Sequence, residues 1–136
     1  MAADGPCGGV LVVDDDPDIR ESLREVLEDE GYEVACVGNG QEALDHLKTA
    51  TPRPCVILLD LMMPVMDGRS FRARQLQDPD LSTIPVIVLS AYRDVAKNAT
   101  ELNVAGYLEK PLKLQTLLQL VRQHCSGEAT PPAASS

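Results

Sequence analysis

The sequence has few aromatic residues and no long apolar run. Its 136 residues contain no Trp, one Phe and three Tyr, although 44% of them are hydrophobic. The core must therefore be aliphatic, which suits a parallel sheet rich in Val, Ile and Leu. Its longest apolar stretches, such as 56–59, are far shorter than the ~20 residues of a membrane-spanning helix. Residues 1–9 also lack the basic start and apolar stretch of a signal peptide, so we expect a cytoplasmic protein.

Basic residues and paired cysteine motifs are scarce as well. Lys and Arg number 12 against 21 Asp and Glu, which gives a formal net charge of −9 at pH 7. Phosphate backbones and anionic lipid headgroups repel such a chain, so we expect no direct binding to nucleic acid or to a membrane. The four cysteines form no CxxC pair, and they are Cys7, Cys36, Cys55 and Cys125. This scatter predicts reduced thiols and no zinc site.

The chain length fits one domain with a short segment at each end. We expect the domain to span residues 9–125 and the segment 1–8 before it to be disordered. The segment 126–136 is rich in Pro, Ala and Ser and cannot bury apolar surface, so disorder is expected there too. These ends favour a stand-alone protein, although a linker to an output domain would have the same composition.

Short apolar runs alternate with helical periodicity along the predicted domain. The pattern predicts strands at 10–13, 32–37, 55–59, 84–89 and 105–108, each followed by a helix, the fourth of which covers 94–102. Asp16 and Pro17 are typical of the start of the first helix, and Asn39 with Glu42 of the start of the second. Strands separated by helices predict an α/β fold with a doubly wound parallel sheet of five strands, flanked by five helices.

Polar residues follow four of these strands. They are Asp14, Asp15 and Asp16 after the first strand, Asp60 after the third, Ser90 after the fourth and Lys110 after the fifth. Because the carboxyl ends of parallel strands share one edge of a sheet, these side chains should converge. Three clustered carboxylates repel one another by of order 1 kcal/mol or more per close pair unless a cation lies among them. Oxygen ligands favour Mg²⁺, and a lysine beside them favours a phosphoryl group, so the edge predicts phosphoryl transfer onto aspartate.

The chain resembles the receiver domains of response regulators, in particular those of stand-alone chemotaxis regulators. The resemblance covers roughly residues 9–125. It rests on VVDD at 12–15, VILLDLMMP at 56–64 with Asp67-Gly68, VIVLSA at 86–91 and YLEKP at 107–111. It implies a flavodoxin-like fold with strand order 2-1-3-4-5. It also implies two-component signalling, in which a phosphorelay acts through an aspartyl phosphate.

The resemblance assigns a role to each residue at this edge. It implies that Asp60 is the phosphoacceptor, and that Mg²⁺ or Mn²⁺ binds Asp15, Asp60 and the backbone carbonyl of Met62. Asp14 would act largely through a metal-bound water.

The same resemblance implies roles for three further residues. Lys110, joined to Pro111 by a cis bond, would bind the phosphoryl oxygens. Ser90 and Tyr107 would form the conformational switch, with serine at a position where threonine is more frequent. A receiver catalyses only its own phosphorylation and dephosphorylation, so we do not expect an enzyme in the usual sense.

The implied partners are proteins. A sensor histidine kinase or a phosphotransfer protein would supply the phosphoryl group, and a downstream protein would respond to it. The responding surface would combine helix 94–102, the last strand and the last helix, and it could also form a homodimer. The core stripe predicted for the last helix is Leu114, Leu117, Leu118 and Val121. This stripe would leave Leu112 and Leu120 available to a partner.

Three other functions were considered. A haloacid-dehalogenase-type phosphatase needs an acidic residue two positions after its nucleophile, where this chain has Met62. A flavodoxin-like electron carrier needs hydroxyls and glycines in its phosphate loop, where this chain has three successive aspartates from Asp14. A receiver fold that works without phosphorylation is the third possibility, and the presence of every expected residue argues against it.

Overall fold

The computed structural model describes residues 9–50, 53–90, 102 and 104–125. Its elements in chain order are β1 (Val10–Val13), α1 (Pro17–Asp29), β2 (Val34–Val37), α2 (Gly40–Thr49), β3 (Val56–Asp60), α3 (Gly68–Gln77), β4 (Val86–Ser90), β5 (Gly106–Glu109) and α4 (Leu114–Cys125). The segments 1–8 and 126–136 lie outside these ranges, as does the helix predicted at 94–102 apart from Leu102. Four of the five predicted helices therefore fall in the described part, and none of these four has the length and apolar character to span a bilayer.

All five strands form one parallel sheet with the order β2-β1-β3-β4-β5. The predicted doubly wound, flavodoxin-like architecture is thus confirmed. From β1 the chain passes to β2 on one side of β1, and it then adds β3, β4 and β5 in turn on the other side. The strand order therefore reverses between β1 and β3. Crevices at such reversal points, beyond the carboxyl ends of the strands, are where ligands bind in this class of fold.

Two aliphatic cores cover the two faces of the sheet. The first core lies under α2 and α3 and includes Leu47 and Phe71, the single Phe of the chain. The second core lies under α1 and α4 and includes Leu27 and Leu117. Because both faces are covered, β1, β3 and β4 are buried along their whole length, which explains why β3 and β4 are apolar up to their last residues, Asp60 and Ser90.

Local side-chain contacts fix the helix starts close to the acidic edge of the sheet. The Asp16 carboxylate accepts the Asp18 N–H at 2.9 Å and Pro17 occupies the first turn of α1. The Asn39 side chain accepts the Glu42 N–H at 2.9 Å at the start of α2. Both predicted starts are confirmed, and the strand boundaries differ from the prediction by one or two residues.

The apolar stripe of the last helix differs from its prediction. The fully buried positions of α4 are Leu117, Val121 and Cys125. Leu114, predicted to lie in the core, is 49% exposed, and Leu118 is half-buried. Leu112 and Leu120 are instead partly buried against the second core. Leu120 lies close to Gly106 on β5, where an added Cβ would be 3.6 Å from a Leu120 methyl group, an ordinary contact distance.

The prediction that all cysteines are reduced is wrong for one pair. Cys55 and Cys125 form a disulfide with a Cα–Cα distance of 5.3 Å, although they are 70 residues apart in sequence. Cys55 directly precedes β3, and Cys125 is the last residue of α4. The fold brings the two together because α4 runs antiparallel to β3 and ends where β3 begins. Cys36 is a free thiol.

Candidate functional site

The predicted carboxylates converge at the carboxyl edge of the sheet. Asp14 and Asp15 directly follow β1, and Asp60 is the last residue of β3. One carboxylate oxygen from each of these three residues lies within 4.8 Å of the other two. We call Asp14, Asp15 and Asp60 the acidic cluster. It lies beside the reversal of strand order between β1 and β3, where the fold class places its ligands.

Asp14 is held rigidly by the protein. Its side chain is fully buried, with one carboxylate oxygen accepting the Asp16 N–H at 2.9 Å and the other accepting Lys110 Nζ at 3.0 Å. Its backbone carbonyl accepts Arg20 Nη1 at 2.7 Å. Sequence reasoning did not single out Arg20, and the only local signal was its position one helical turn after the cap at Asp16. Both oxygens of Asp14 are therefore already engaged.

Asp60 is buried but less firmly bonded. It is 5% exposed, its Oδ1 lies 3.3 Å from the Met62 N–H, and Lys110 Nζ lies 3.6 Å from the same oxygen. Burial raises the pKa of Asp60, and the Asp14 charge raises it further, whereas the Lys110 ammonium lowers it; the resulting pKa is about 6. Asp15 is exposed, so the cluster has one side open to solvent.

Lys110 is the cation that the structure places against the cluster. Its ammonium contacts both Asp14 and Asp60, and its side chain is 18% exposed. Its backbone N–H donates to the Ser90 carbonyl at 2.8 Å, which ties the start of the loop after β5 to the end of β4. The Lys110-Pro111 bond is cis, as the resemblance implies.

The loop between β3 and α3 returns closely onto the end of its own strand. A Cβ at Gly68 would lie 2.7 Å from the Asp60 carbonyl oxygen, so this return requires glycine. At the far side of the loop, the Gly40 N–H donates to the Met66 carbonyl at 2.9 Å. The Met62 peptide is thereby kept next to Asp60, while the Met62 side chain is 56% exposed. The Met62 N–H is thus placed beside Asp60, and the metal-binding role of the Met62 carbonyl stays a prediction.

The two predicted switch residues lie on neighbouring strands. Ser90 ends β4 and is buried, whereas Tyr107 on β5 is 46% exposed. Tyr107 pairs in register with Val88, and Ser90 pairs with Glu109. Because side chains alternate between the faces of a strand, Val88, Ser90 and Tyr107 all lie on one face of the sheet. The structure therefore places Ser90 at the carboxyl edge of the sheet, where the acidic cluster lies. Tyr107 pairs with Val88, two residues before Ser90 on β4, and so lies further from this edge.

The donor set of the cluster fits a hard divalent cation. All three side chains offer carboxylate oxygens, and such ligands select Mg²⁺ or Mn²⁺ over softer metals. When all are ionised, the three carboxylates and the Lys110 ammonium together carry an excess of negative charge. A divalent cation would remove the repulsion that this excess causes.

Fold and cluster together define a doubly wound α/β domain of the flavodoxin-like receiver type. Residues 10–122 match the sequence model of the response regulator receiver domain. The chain therefore belongs to the response regulator receiver domain family of two-component signal transduction. Members of this family act as phosphoryl acceptors rather than conventional enzymes, and they bind Mg²⁺ at an acidic pocket. Membership excludes the phosphatase and electron-carrier functions considered above.

Known proteins resemble the chain over most of its length. It is 40% identical over 127 residues to an uncharacterised 14.6 kDa protein of Leptolyngbya boryana, covering 92% of this chain and 94% of that protein. It is 41% identical over 115 residues to the response regulator MprA of Mycolicibacterium vanbaalenii, covering 83% of this chain. The match covers 48% of MprA, so the chain spans about half the length of that relative.

Solved structures share the fold. The signal receiver domain of a signal transduction histidine kinase from Syntrophus aciditrophicus superimposes with a TM-score of 0.80 at 34% identity. That match covers 96% of this chain and 98% of the other.

The raised pKa of Asp60 predicts a pH-dependent stability for the metal-free protein. A carboxyl group with a raised pKa binds more protons in the folded than in the unfolded state. Its stabilising contribution is present below its ordinary pKa of 3.8 and is lost as pH rises through about 6. Asp60→Asn removes this titration. In EDTA, the stability of the variant relative to the wild type should rise by about 1.4 kcal/mol between pH 5 and pH 7.5.

Urea unfolding of both proteins across this pH range measures the difference. Asp16→Asn, which keeps a helix cap and changes a carboxylate outside the cluster, is the matched control and should show no such trend. A stability difference between Asp60→Asn and wild type that stays constant from pH 5 to 7.5 would show that folding does not raise the pKa of Asp60.

Proposed function

We propose that the chain accepts a phosphoryl group on Asp60 in the presence of Mg²⁺ and then presents an altered surface to a protein partner. The donor would be a sensor histidine kinase or a phosphotransfer protein. One observation carries the choice of Asp60. Asp14 has both oxygens engaged at 2.9 and 3.0 Å, whereas the contacts of Asp60 are longer, at 3.3 and 3.6 Å. Asp60 is thus the buried carboxylate that can exchange its contacts for a new bond.

In the transfer, an Asp60 oxygen attacks phosphorus while the bond from phosphorus to the donor nitrogen breaks. The electron pair of that bond stays on the donor imidazole, and an acyl phosphate forms on Asp60. With a pKa of about 6, Asp60 is largely ionised at neutral pH and so is ready to act as the nucleophile. Lys110 is close enough to move from the carboxylate to the oxygens of the arriving phosphoryl group.

The metal site in this proposal is made by Asp15, Asp60 and the backbone carbonyl of Met62, with Asp14 acting through a water. Bound Mg²⁺ supplies positive charge that offsets the negative charge of the carboxylates and of the phosphoryl oxygens. Asp15 is suited to this task because it is exposed and can turn towards an ion. Asp14 is suited to an indirect role, because its two oxygens already accept protein hydrogen bonds.

The switch would begin at Ser90. If its hydroxyl moves to donate to a phosphoryl oxygen, it vacates space on the sheet face that it shares with Tyr107. The exposed Tyr107 ring can then turn inward, which changes the surface of β5 and its neighbours. Phosphorylation shifts this equilibrium only by the difference in its binding to the two states.

The responding surface would comprise β5, α4 and residues 94–102. In the described part it includes the exposed apolar side chains of Tyr107 and Leu114. A downstream protein would bind there, and a second copy of the chain could use the same surface. The net charge of −9 supports a protein partner over nucleic acid or a membrane.

The assignment of Asp60 can be tested with a small phosphodonor. Wild type incubated with acetyl phosphate and Mg²⁺ should gain the mass of one phosphoryl group, and Asp60→Asn should gain none. Asp16→Asn, which changes the capping carboxylate of α1 outside the acidic cluster, should be phosphorylated like wild type. Intact-mass spectrometry reads all three, and full modification of Asp60→Asn would move the phosphoacceptor to another residue.

The metal assignment predicts stabilisation by Mg²⁺. Binding to the folded state alone raises the unfolding free energy by mass action, by about 2.7 kcal/mol at a hundredfold excess over Kd. Asp15→Asn should lose most of this gain, because it removes the carboxylate that is free to turn towards the ion. Thermal unfolding with Mg²⁺ and with EDTA measures both, and an equal response of Asp15→Asn and wild type would show that Asp15 is not a ligand.

The switch predicts that Ser90→Ala separates phosphorylation from signalling. This variant should still accept phosphate on Asp60, but it should lose most of the phosphate-dependent gain in partner binding or self-association. Sedimentation of the phosphorylated and unphosphorylated forms measures self-association, and Ser90→Thr, which keeps the hydroxyl, is the control. A full gain in Ser90→Ala would mean that coupling does not run through the Ser90 hydroxyl.

A further inference from the structure

A pair of cysteines joins the last helix to the start of the central strand. Cys125 is the final residue of α4 and is 4% exposed, whereas Cys55, directly before β3, is partly exposed. Their Cα atoms lie 5.3 Å apart, within the range that disulfides require. The backbone around Cys55 is fixed independently, because its N–H donates to the Gly9 carbonyl at 2.8 Å. The bond can therefore form or break without moving the strand.

The C-terminal turn of α4 depends on this contact. Val121 is the preceding buried residue of the helix, one turn before Cys125. Arg122 adds one ion pair, with its Nη2 3.8 Å from Glu30 Oε1, but both side chains are about half exposed. Exposed ion pairs of this kind stabilise little. The Cys55–Cys125 bond is thus the strong constraint on the end of the helix.

We propose that Cys55 and Cys125 are a reversible redox site that clamps α4 to β3, with a low-molecular-weight disulfide as its oxidant. The thiolate of the more accessible Cys55 attacks one sulfur of that disulfide, forms a mixed disulfide and releases one thiolate. The Cys125 thiolate then attacks Cys55 Sγ and releases the second thiolate. Two protein thiols are oxidised, one small disulfide is reduced to two thiols, and the two protons lost by the protein pass to the released thiolates.

This redox site is separate from the acidic cluster. Cys55 precedes Asp60 by five residues along β3, which places it about 16 Å from that residue, at the opposite end of the strand. The clamp therefore acts on the attachment of α4 and leaves the phosphoryl chemistry intact. The proposal does not depend on the function assigned to Asp60.

Variants with fewer cysteines isolate the pair. Cys7→Ser/Cys36→Ser retains Cys55 and Cys125 alone, and burial already raises the pKa of the Cys36 thiol, which makes it a poor nucleophile. This variant is equilibrated with reduced and oxidised glutathione at several ratios, alkylated and weighed as an intact protein. We expect a reversible loss of two hydrogens, without retained glutathione, as the ratio changes. The oxidised form should melt roughly 10 °C above the reduced form.

Hydrogen exchange locates the effect. Amides of the last turn of α4 should exchange at least tenfold more slowly in the oxidised protein, while amides of β1 and β3 change much less. Adding Cys125→Ala to the background should leave glutathione on Cys55 and abolish both the thermal shift and the protection. The proposal is overturned if the pair stays oxidised in excess reduced glutathione while the protein is folded. It is also overturned if no intramolecular disulfide forms or if α4 exchanges equally in both states.

Discussion

The contact of the Lys110 ammonium with Asp14 and Asp60 is the interaction on which the site depends. At 3.0 and 3.6 Å it lies against two carboxylates that the fold has largely removed from water. Two buried negative charges this close would otherwise repel each other strongly. One ammonium does not neutralise the three carboxylates of the cluster. The remaining excess of negative charge favours the binding of a divalent cation.

The sheet makes this contact possible. Parallel strands bring the residues after β1, β3 and β5 to one edge, although Lys110 is 96 residues away from Asp14 in sequence. The reversal of strand order leaves a crevice between β1 and β3, and Gly68 lets the following loop return onto Asp60. The same sheet has a second chemical site at its other end, where Cys55 and Cys125 meet. Asp60 thus lies at the carboxyl end of the central strand, and the Cys55–Cys125 pair lies at its amino end.

Features determined by neighbouring residues could be predicted from the sequence. The caps at Asp16 and Asn39 are contacts within one turn, and alternating strands and helices indicate a doubly wound sheet. The convergence of Asp14, Asp60 and Lys110 followed from that topology alone. The roles of these residues came from the resemblance and remain proposals.

Features determined by distant residues could not be predicted. The pairing of Cys55 with Cys125 depends on where α4 ends in space.

In helix α3, tertiary contacts rather than the helix sequence determine which residues are buried. Its buried face includes the polar residues Arg72 and Gln75, which no apolar periodicity would place inside. The Gln75 amide donates to the carbonyls of Leu81 and Ile84 at 2.8 and 3.1 Å, and Arg72 Nη1 donates to Gln75 Oε1 at 2.7 Å. Gln75 is stable in the core because the loop after α3 supplies carbonyl acceptors, and Arg72 also donates to the distant Leu102 carbonyl at 3.1 Å. Neither the loop nor Leu102 can be read from the helix sequence.

The electrostatic account is tested most directly by the pKa of Asp60 with and without the lysine charge. Carboxyl ¹³C shifts of the metal-free protein, followed by NMR against pH, give this pKa for wild type and for Lys110→Met. Lys113→Met, which removes an exposed lysine three residues later, is the control. We predict an Asp60 pKa of about 6 in wild type and in the control, and a clearly higher pKa in Lys110→Met. An unchanged or lower pKa in Lys110→Met would contradict the claim that this ammonium holds the acidic cluster together.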